Sequence, residues 1–150
     1  MSYHVDYGAD GLTFSLPDCS ATVATPSGGS AVDPAEAAVA ALDDPHGPPL
    51  ARRVDPDDTV AIVVTDVTRA TPDDVLLGAL LAELERADVY REQVTVVVGL
   101  GLHRPMTDAE IEAALGEHAD LAVNHDPERT VAIGEVDGTP IEIHETVAAA

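Results

Sequence analysis

The sequence predicts a layered α/β domain: a parallel or mixed sheet with crossover helices, followed by a C-terminal β-hairpin. A chain of 150 residues has the size of one ordinary domain and can bury roughly 70% of the surface that its unfolded form exposes. Aromatic residues make up only 3% of the chain, so its core must be built from small branched side chains in regular elements. Residues 60–98 follow the order strand, helix, strand, which is typical of a crossover unit. We expect residues 1–150 to form a single domain.

The first third of the chain predicts one strand and one helix. Apolar and polar side chains alternate from Leu12 to Leu16, as in a short half-buried strand. Residues 17–32 are rich in small and turn-forming residues and predict a loop. Asp33, followed by a proline, can cap a helix that should end near Leu42. The prolines of residues 43–50 then predict an extended connector, because they deny both helix and ladder hydrogen bonds.

The middle of the chain predicts two buried strands joined by a helix. Val60 to Val64 form a continuous apolar run, the pattern of a strand that is covered on both faces, as in parallel sheets. Thr71 can cap a helix that Pro72 opens, and the leucines of this helix cover more than one stripe, so it should be largely buried. Gln93 to Val98 form the second strand. A strand, a helix and a strand of these lengths make one right-handed crossover unit.

The last third predicts a further helix and a hairpin. Thr107 and Glu110 have the spacing of a capping box, so a helix should start there and end near Gly116. Within residues 131–143, two short apolar strands flank Asp137-Gly138, which is a good hairpin turn dipeptide. The order of elements therefore agrees with an α/β architecture that closes on a hairpin.

The charge of the chain excludes a nucleic-acid partner and indicates a salt-rich source. The net charge is −21, with 28 acidic against 7 basic residues, and every basic residue is an arginine. Nucleic-acid affinity comes mainly from basic groups, so DNA or RNA binding is not expected. At molar salt the Debye length falls to about 3 Å, which screens the self-repulsion of an acidic surface. We therefore expect a halophilic protein.

Cysteine content and hydropathy predict a soluble, cytoplasmic protein without a membrane partner. Cys19 is the single cysteine, so no intrachain disulfide or thiolate metal cluster can form. The first residues lack the basic and apolar regions of a secretory signal. No stretch reaches the ~20 apolar residues that span a bilayer.

Two polar turns follow the two predicted strands. Asp66-Val67-Thr68-Arg69 follows the first strand, and Leu102-His103-Arg104-Pro105 follows the second. In a crossover unit both strands point the same way, so both turns emerge at the sheet edge where open α/β sheets place their ligands. We therefore expect a polar site at this edge, with His103 and Arg69 as neighbours.

Asp66 and Arg69 allow two interpretations. The guanidinium of Arg69, close to the amino end of the following helix, can fork onto the oxygens of a carboxylate or phosphate. Against this, Asp73 and Asp74 already neutralise that helix end. An Asp-x-x-Arg pair is also commonly a local salt bridge that pins a turn. The residues by themselves leave both interpretations open.

His103 is the candidate for proton transfer. An imidazole has an unperturbed pKa near 6.5 and can take or return a proton at working pH. A lone histidine on a loop is more often a hydrogen-bonding surface residue, but the second polar turn favours a role for His103. The other five histidines include no pair at helical zinc-site spacing, and His125 suits a turn from Val123 to Asp126, so no all-protein metal site is expected. Gly99-Leu100-Gly101 lacks the third glycine of a dinucleotide fingerprint, and without lysine there is no phosphate loop.

With these residues the chain resembles the amino-terminal domain of the nickel-dependent lactate racemase family. Two segments together are specific, Asp66-Val67-Thr68-Arg69 and Gly101-Leu102-His103-Arg104-Pro105, in this order and separated by one crossover helix. Further matches are spread over most of the chain, among them Asn124-His125-Asp126 and Gly138-Thr139-Pro140. Ala70 stands where the family usually has a proline, which loosens the first turn.

The resemblance implies a racemase or epimerase, an isomerase that acts on a small 2-hydroxy acid of the lactate type. In the family, a nickel ion held by a pincer-type pyridinium mononucleotide accepts a hydride from the carbon that bears the hydroxyl, and a histidine removes the hydroxyl proton. His103 would be one of two such acid/base histidines. The pocket for substrate and cofactor would be lined by Asp66, Thr68, Arg69 and Arg104.

The resemblance also implies that this chain is incomplete by itself. Family members are longer, and their second acid/base histidine, cofactor-bearing lysine and nickel-ligating histidine come after the position where this sequence stops. We expect a fragment or split subunit that needs a complementing C-terminal polypeptide. The alternative is a non-catalytic remnant that binds a small anion or docks on another protein. A dehydrogenase-type nucleotide domain is a third alternative, and it requires NAD binding.

Overall fold

The computed structural model describes residues 2–8, 10–24 and 27–150. By its internal contacts the chain divides into two compact units, Met1–Ala31 and Val32–Ala150. The single domain expected from the sequence stays a prediction.

The first unit contains an antiparallel hairpin of β1 (Ser2–Val5) and β2 (Leu12–Ser15). The rings of Tyr3 and Phe14 lie across from each other, with centroids 6.0 Å apart. β2 confirms the strand predicted at this position. β1 was not predicted, because four residues before a turn are too few for a periodic signal.

The predicted loop at residues 17–32 contains no helix or strand in its described part, and Thr25 and Pro26 lie outside the described residues. The helix that follows is α1 (Pro34–Asp43), as predicted. Asp33 caps α1, since its carboxylate accepts hydrogen bonds from two backbone amides of the first turn at 2.9 and 3.0 Å.

The second unit is built on a three-stranded parallel sheet in the order β3 (Val60–Val64), β4 (Val94–Val98) and β5 (Ala122–Asn124). α2 (Asp73–Arg86) connects β3 to β4, and α3 (Asp108–Leu115) with a 3-10 segment connects β4 to β5. The parallel pairing of β3 with β4 confirms the predicted crossover unit. β5 corrects the turn expected at residues 123–126, because a three-residue strand forms only through its pairing with β4.

The start of α2 differs from the prediction. The helix begins at Asp73 with Pro72 as its N-cap residue, and no side chain caps it. Thr71 is therefore not the cap. The buried carboxylate of Asp73 instead accepts a hydrogen bond from Thr65 Oγ1 at 2.9 Å, which ties the first turn of α2 to the end of β3.

The main core lies between the sheet and the helices α2 and α3. Its buried members are Leu77, Val96, Val98, Leu100, Met106, Ile111 and Leu115. β4 is the central strand, and four of its five residues are buried. β3 lies at the sheet edge and has no buried residue, with Val63 58% exposed. The expected covering of residues 60–64 on both faces is therefore wrong, because the two helices leave the Val63 side of this edge strand open.

The C-terminal part confirms the predicted hairpin, in which β6 (Thr130–Val136) pairs with β7 (Thr139–His144). Its turn is Asp137-Gly138, and the φ angles of 50° and 79° are those that a two-residue hairpin turn of type I′ requires. A short helix, α4 (Glu145–Ala149), follows. In the part of the chain that the structure describes, no helix is long and apolar enough to cross a membrane.

Candidate functional site

The two polar turns meet at the carboxyl edge of the parallel sheet. Asp66 and Arg69 follow β3, and His103 follows β4. All three line one cavity of about 330 Å³, together with Thr65 and residues 99–102. Ligand pockets measure roughly 300–1,000 Å³, so this cavity suits a small ligand. The expected proximity of His103 and Arg69 is confirmed.

Asp66 is a buried carboxylate with two partners. It is 6% exposed, and its Oδ1 accepts hydrogen bonds from the amide and the hydroxyl of Thr68 at 3.1 and 2.6 Å. Its Oδ2 contacts Nδ1 of His103. The Thr68 hydroxyl, and after it His103, outweigh the effect of burial and lower the pKa of Asp66 to about 2. Asp66 is therefore ionised at neutral pH.

The charge of Asp66 determines which ring nitrogen of His103 carries a proton. An ionised carboxylate only accepts hydrogen bonds, so Nδ1–H of His103 donates to Asp66 and Nε2 of the neutral ring keeps its lone pair. The backbone places the ring through a tight turn, in which His103 N donates to Leu100 O at 2.9 Å. Gly101 has a φ of 57° in this turn, in the left-handed region that favours glycine. In this tautomer Nε2 carries no proton, so the ring is chemically able to act as a base.

Arg69 does not form the local salt bridge with Asp66 that the sequence allowed. Its backbone amide donates to Asp66 O at 3.0 Å and closes the turn. Its guanidinium makes no hydrogen bond or ion pair with any described residue. A guanidinium that lines a cavity and pairs with no described residue suits a carboxylate or phosphate, which it can hold by two parallel bonds.

Thr68 and Arg104 have structural partners in the same two turns. The amide and the hydroxyl of Thr68 both donate to Asp66 Oδ1. The guanidinium of Arg104 binds both carboxylate oxygens of Glu110 at 2.8 and 2.7 Å and donates to Pro105 O at 2.9 Å. This pairing raises the pKa of Arg104 and lowers the pKa of Glu110 to about 2. Arg104 therefore connects the His103 turn to α3, and the binding roles of Thr68 and Arg104 toward a ligand stay predictions.

Two larger cavities lie elsewhere and suit an anion less well. One, of about 440 Å³, is lined by Glu92 and Glu145 and by no basic side chain. The other, of about 430 Å³, contains Arg91, whose guanidinium is already paired with Asp120. The cavity at the two turns is therefore the better candidate for a ligand that carries a carboxylate.

Asn124 is a site-edge residue that the sequence did not single out as functional. It ends β5, and its side-chain amide bonds both backbone groups of Met106, each at 2.9 Å. The segment Asn124-His125-Asp126 was noted only as part of the resemblance. The sequence did not predict β5, so it gave no sign that Asn124 ends a parallel strand, where its side chain lies at this edge of the sheet.

A comparison with family models identifies the family of this chain. Residues 7–150 match the model described as the lactate racemase N-terminal domain. Among solved structures, the lactate racemase apoprotein from Thermoanaerobacterium thermosaccharolyticum is similar in fold, with a TM-score of 0.71 and 24% sequence identity. The alignment covers 97% of this chain and 36% of that chain, so this chain spans about a third of the length of that protein. A comparison with curated protein sequences finds no match.

Proposed function

Because the chain belongs to the family of lactate racemase N-terminal domains, we propose that it contributes acid/base and carboxylate-binding groups to a 2-hydroxy-acid racemase. The observation that carries the proposal is that the Asp66–His103 pair lines the same cavity as Arg69, whose guanidinium pairs with no described residue. The remaining parts of such an enzyme would come from a complementing polypeptide.

The side chains at this edge match the functional groups of a 2-hydroxy acid. Arg69 holds the carboxylate of the acid by a forked pair of hydrogen bonds. Nε2 of His103 accepts the proton of the hydroxyl group, and the negative charge of Asp66 stabilises the imidazolium that forms. When the proton returns to the oxygen, the neutral ring and its hydrogen bond to Asp66 are restored.

The cofactor implied by the family fits these residues only in part. The guanidinium of Arg69 suits an anionic group of a pyridinium mononucleotide, but the proposal assigns it to the carboxylate of the substrate. Among the described residues, no three side chains of histidine, cysteine, aspartate or glutamate cluster as nickel ligands, and the chain has no lysine for a covalent link. Both would come from the complementing polypeptide. When bound, the nickel-pincer cofactor supplies the hydride acceptor and donor for the carbon that bears the hydroxyl.

The acidic surface supports a further part of the proposal, a cytoplasm rich in salt as the working environment. The charge of −21 without any lysine favours a medium that screens like charges. The single cysteine agrees with a reducing compartment.

Racemisation by the reconstituted enzyme tests the proposal. The chain is mixed with the polypeptide encoded next to it and with the nickel cofactor, and the conversion of L-lactate to D-lactate is followed by chiral chromatography. Loss of the general base should reduce the rate by about 10²–10⁴-fold in His103→Ala. His46→Ala, a change of an exposed histidine outside the site, is the matched control. An unchanged rate in His103→Ala contradicts the assignment.

A second candidate function is non-catalytic binding of a small carboxylate, which the free guanidinium of Arg69 also favours. In that case lactate binds to the chain in an Arg69-dependent way, but no racemisation follows when the complementing polypeptide and the cofactor are added. The same mixture therefore separates the two functions.

A further inference from the structure

The loop that carries His103 is held at its two ends and exposed at its tip. It runs from the end of β4 to the start of α3, and Leu100 and Met106 near its ends are each 5% exposed and belong to the main core. At the tip, Leu102 is fully exposed and the side chain of His103 is 49% exposed. The position of the ring thus depends on how the ends of the loop are anchored.

The far end of the loop is fixed by Asn124. Its Oδ1 accepts from Met106 N at 2.9 Å, and its Nδ2 donates to Met106 O at 2.9 Å. One side chain therefore satisfies both backbone groups of one loop residue. Asn124 itself is paired in register with Val98 of the central strand, so the loop end is bound to the sheet.

The contact between His103 and Asp66 forms only while the loop keeps the imidazole within reach of Asp66. The side chain of Asp66 is 5% exposed and that of His103 is 49% exposed, so the imidazole is the less enclosed partner of the pair. Only two residues, Arg104 and Pro105, separate His103 from Met106, so a shift of Met106 is passed directly to the ring.

We propose that Asn124 is a positioning residue for His103, which keeps Nδ1 of the imidazole on Asp66 and Nε2 directed away from it. The inference rests on the proposed acid/base function of His103. The pair of Arg104 with Glu110 anchors the same loop, but the side chain of Arg104 is 65% exposed, so water competes with it. The bonds of Asn124 are partly buried and are the stronger anchor.

The tautomer of His103 tests this proposal without any need for turnover. The full chain is labelled with ¹⁵N-histidine and recorded at a pH where the rings are neutral, in long-range ¹H–¹⁵N spectra that separate protonated from unprotonated ring nitrogens. The wild type should show His103 with Nδ1 protonated. Asn124→Ala should convert this signal to a mixture of both tautomers, because the ring leaves Asp66 for part of the time.

Two further variants keep the test decisive. Asn124→Asp retains the acceptor for Met106 N but places an oxygen against Met106 O. It should give a smaller fraction of the second His103 tautomer than Asn124→Ala. If Asn124→Ala does not fold, the spectrum of Asn124→Asp tests the proposal. Val89→Ala truncates a residue that is 1% exposed and packs with Leu84 and Val94, outside the main core. It should lower the melting temperature but leave the tautomer unchanged.

A wild-type tautomer in the folded Asn124 variants overturns the proposal. So does an equal change in Val89→Ala, because the effect would then reflect a general loosening of the fold. Since these spectra require neither lactate nor nickel, a failure of the racemisation assay leaves their result unaffected, and the two failures are distinguishable.

Discussion

The two carboxylate oxygens of Asp66 bind Thr68 and His103. Its side chain and the amide of Thr68 close an Asx turn, a local bond that this residue type favours. The second oxygen faces His103. Both oxygens thus bind partners other than Arg69, and the guanidinium of Arg69 pairs with no described residue.

The first prediction concerns the hydroxyl of Thr68. Thr68→Val should raise the pKa of Asp66 from about 2 toward the ordinary value of 3.8, because this hydroxyl is the largest stabiliser of the ionised form. Thr68→Ser keeps a hydroxyl and should leave the pKa near its wild-type value. The measurement is a pH titration of the Asp66 carboxyl carbon by ¹³C NMR. Identical titrations of the Val and Ser variants would show that the hydroxyl has no such role.

The low pKa of Asp66 also predicts a pH-dependent contribution to stability. A carboxyl whose pKa is lower in the folded chain stabilises the fold above its unfolded pKa, and this contribution is lost as the pH falls from about 4 to about 2. Asp66→Asn cannot ionise, so it should lose less stability than the wild type across this window. Urea unfolding at several pH values between 2 and 6 measures the difference, and parallel curves for the two proteins would contradict the prediction.

Binding of lactate to the chain tests the role of Arg69. A hydrogen bond to a charged group contributes about 1.5–3 kcal/mol, so Arg69→Ala should weaken L-lactate binding by roughly 10–100-fold. The melting temperature should not change, since the guanidinium makes no hydrogen bond or ion pair with a described residue. Arg86→Ala removes the same charge from the last turn of α2 and is the matched control in calorimetric titrations. Equal affinities of the two variants would exclude Arg69 from the site.

At the scale of elements, two strands of similar composition have different environments. β3 reads VAIVV and β4 reads VTVVV, yet β4 is almost fully buried and β3 has no buried residue. A run of apolar residues shows only that a segment is apolar. The strands and helices that pack against the segment determine how far it is buried. The order β3-β4-β5 places β4 in the centre.

The helix α2 offers a matched pair of leucines for a stability prediction. Leu77 is 1% exposed and lies in the main core, whereas the adjacent Leu76 is 36% exposed. Leu77→Ala should lower the free energy of unfolding by about 2–5 kcal/mol, because it leaves a cavity between the helix and the sheet. Leu76→Ala should cost less than about 1 kcal/mol. Urea denaturation of both variants measures this, and equal losses would place the core on the wrong side of α2.

At the scale of the whole molecule, the dominant feature is the excess of negative charge. With 28 acidic and 7 basic residues, most carboxylates cannot have a cationic partner. Like charges at this density oppose the compact state, and mobile ions reduce that cost by screening. The fold should therefore depend on salt.

Circular dichroism in KCl tests this dependence. The helical signal and the melting temperature should both rise between dilute buffer and molar KCl, where the Debye length falls from about 30 Å at 0.01 M to about 3 Å at 1 M. Sodium chloride at the same concentration should act similarly, since screening depends on ionic strength. A chain equally folded in dilute buffer and in molar KCl would contradict the halophilic assignment.

The sequence by itself determined most of the local elements and the residue types of the site. The cap of α1 by Asp33, the capping box at Thr107 and the Asp137-Gly138 turn were all predictable, because each depends on contacts within a few residues. The crossover pattern also predicted that His103 and Arg69 would share one sheet edge, since parallel strands deliver both turns there.

Only the tertiary structure decided the partners of those residues. That Asp66 selects His103 rather than Arg69, that β3 is an edge strand, and that Asn124 holds Met106 all depend on segments far apart in the chain. Local patterns encode propensity and burial tendency, but pairing between distant segments follows from how the elements pack together. That packing is a property of the whole chain.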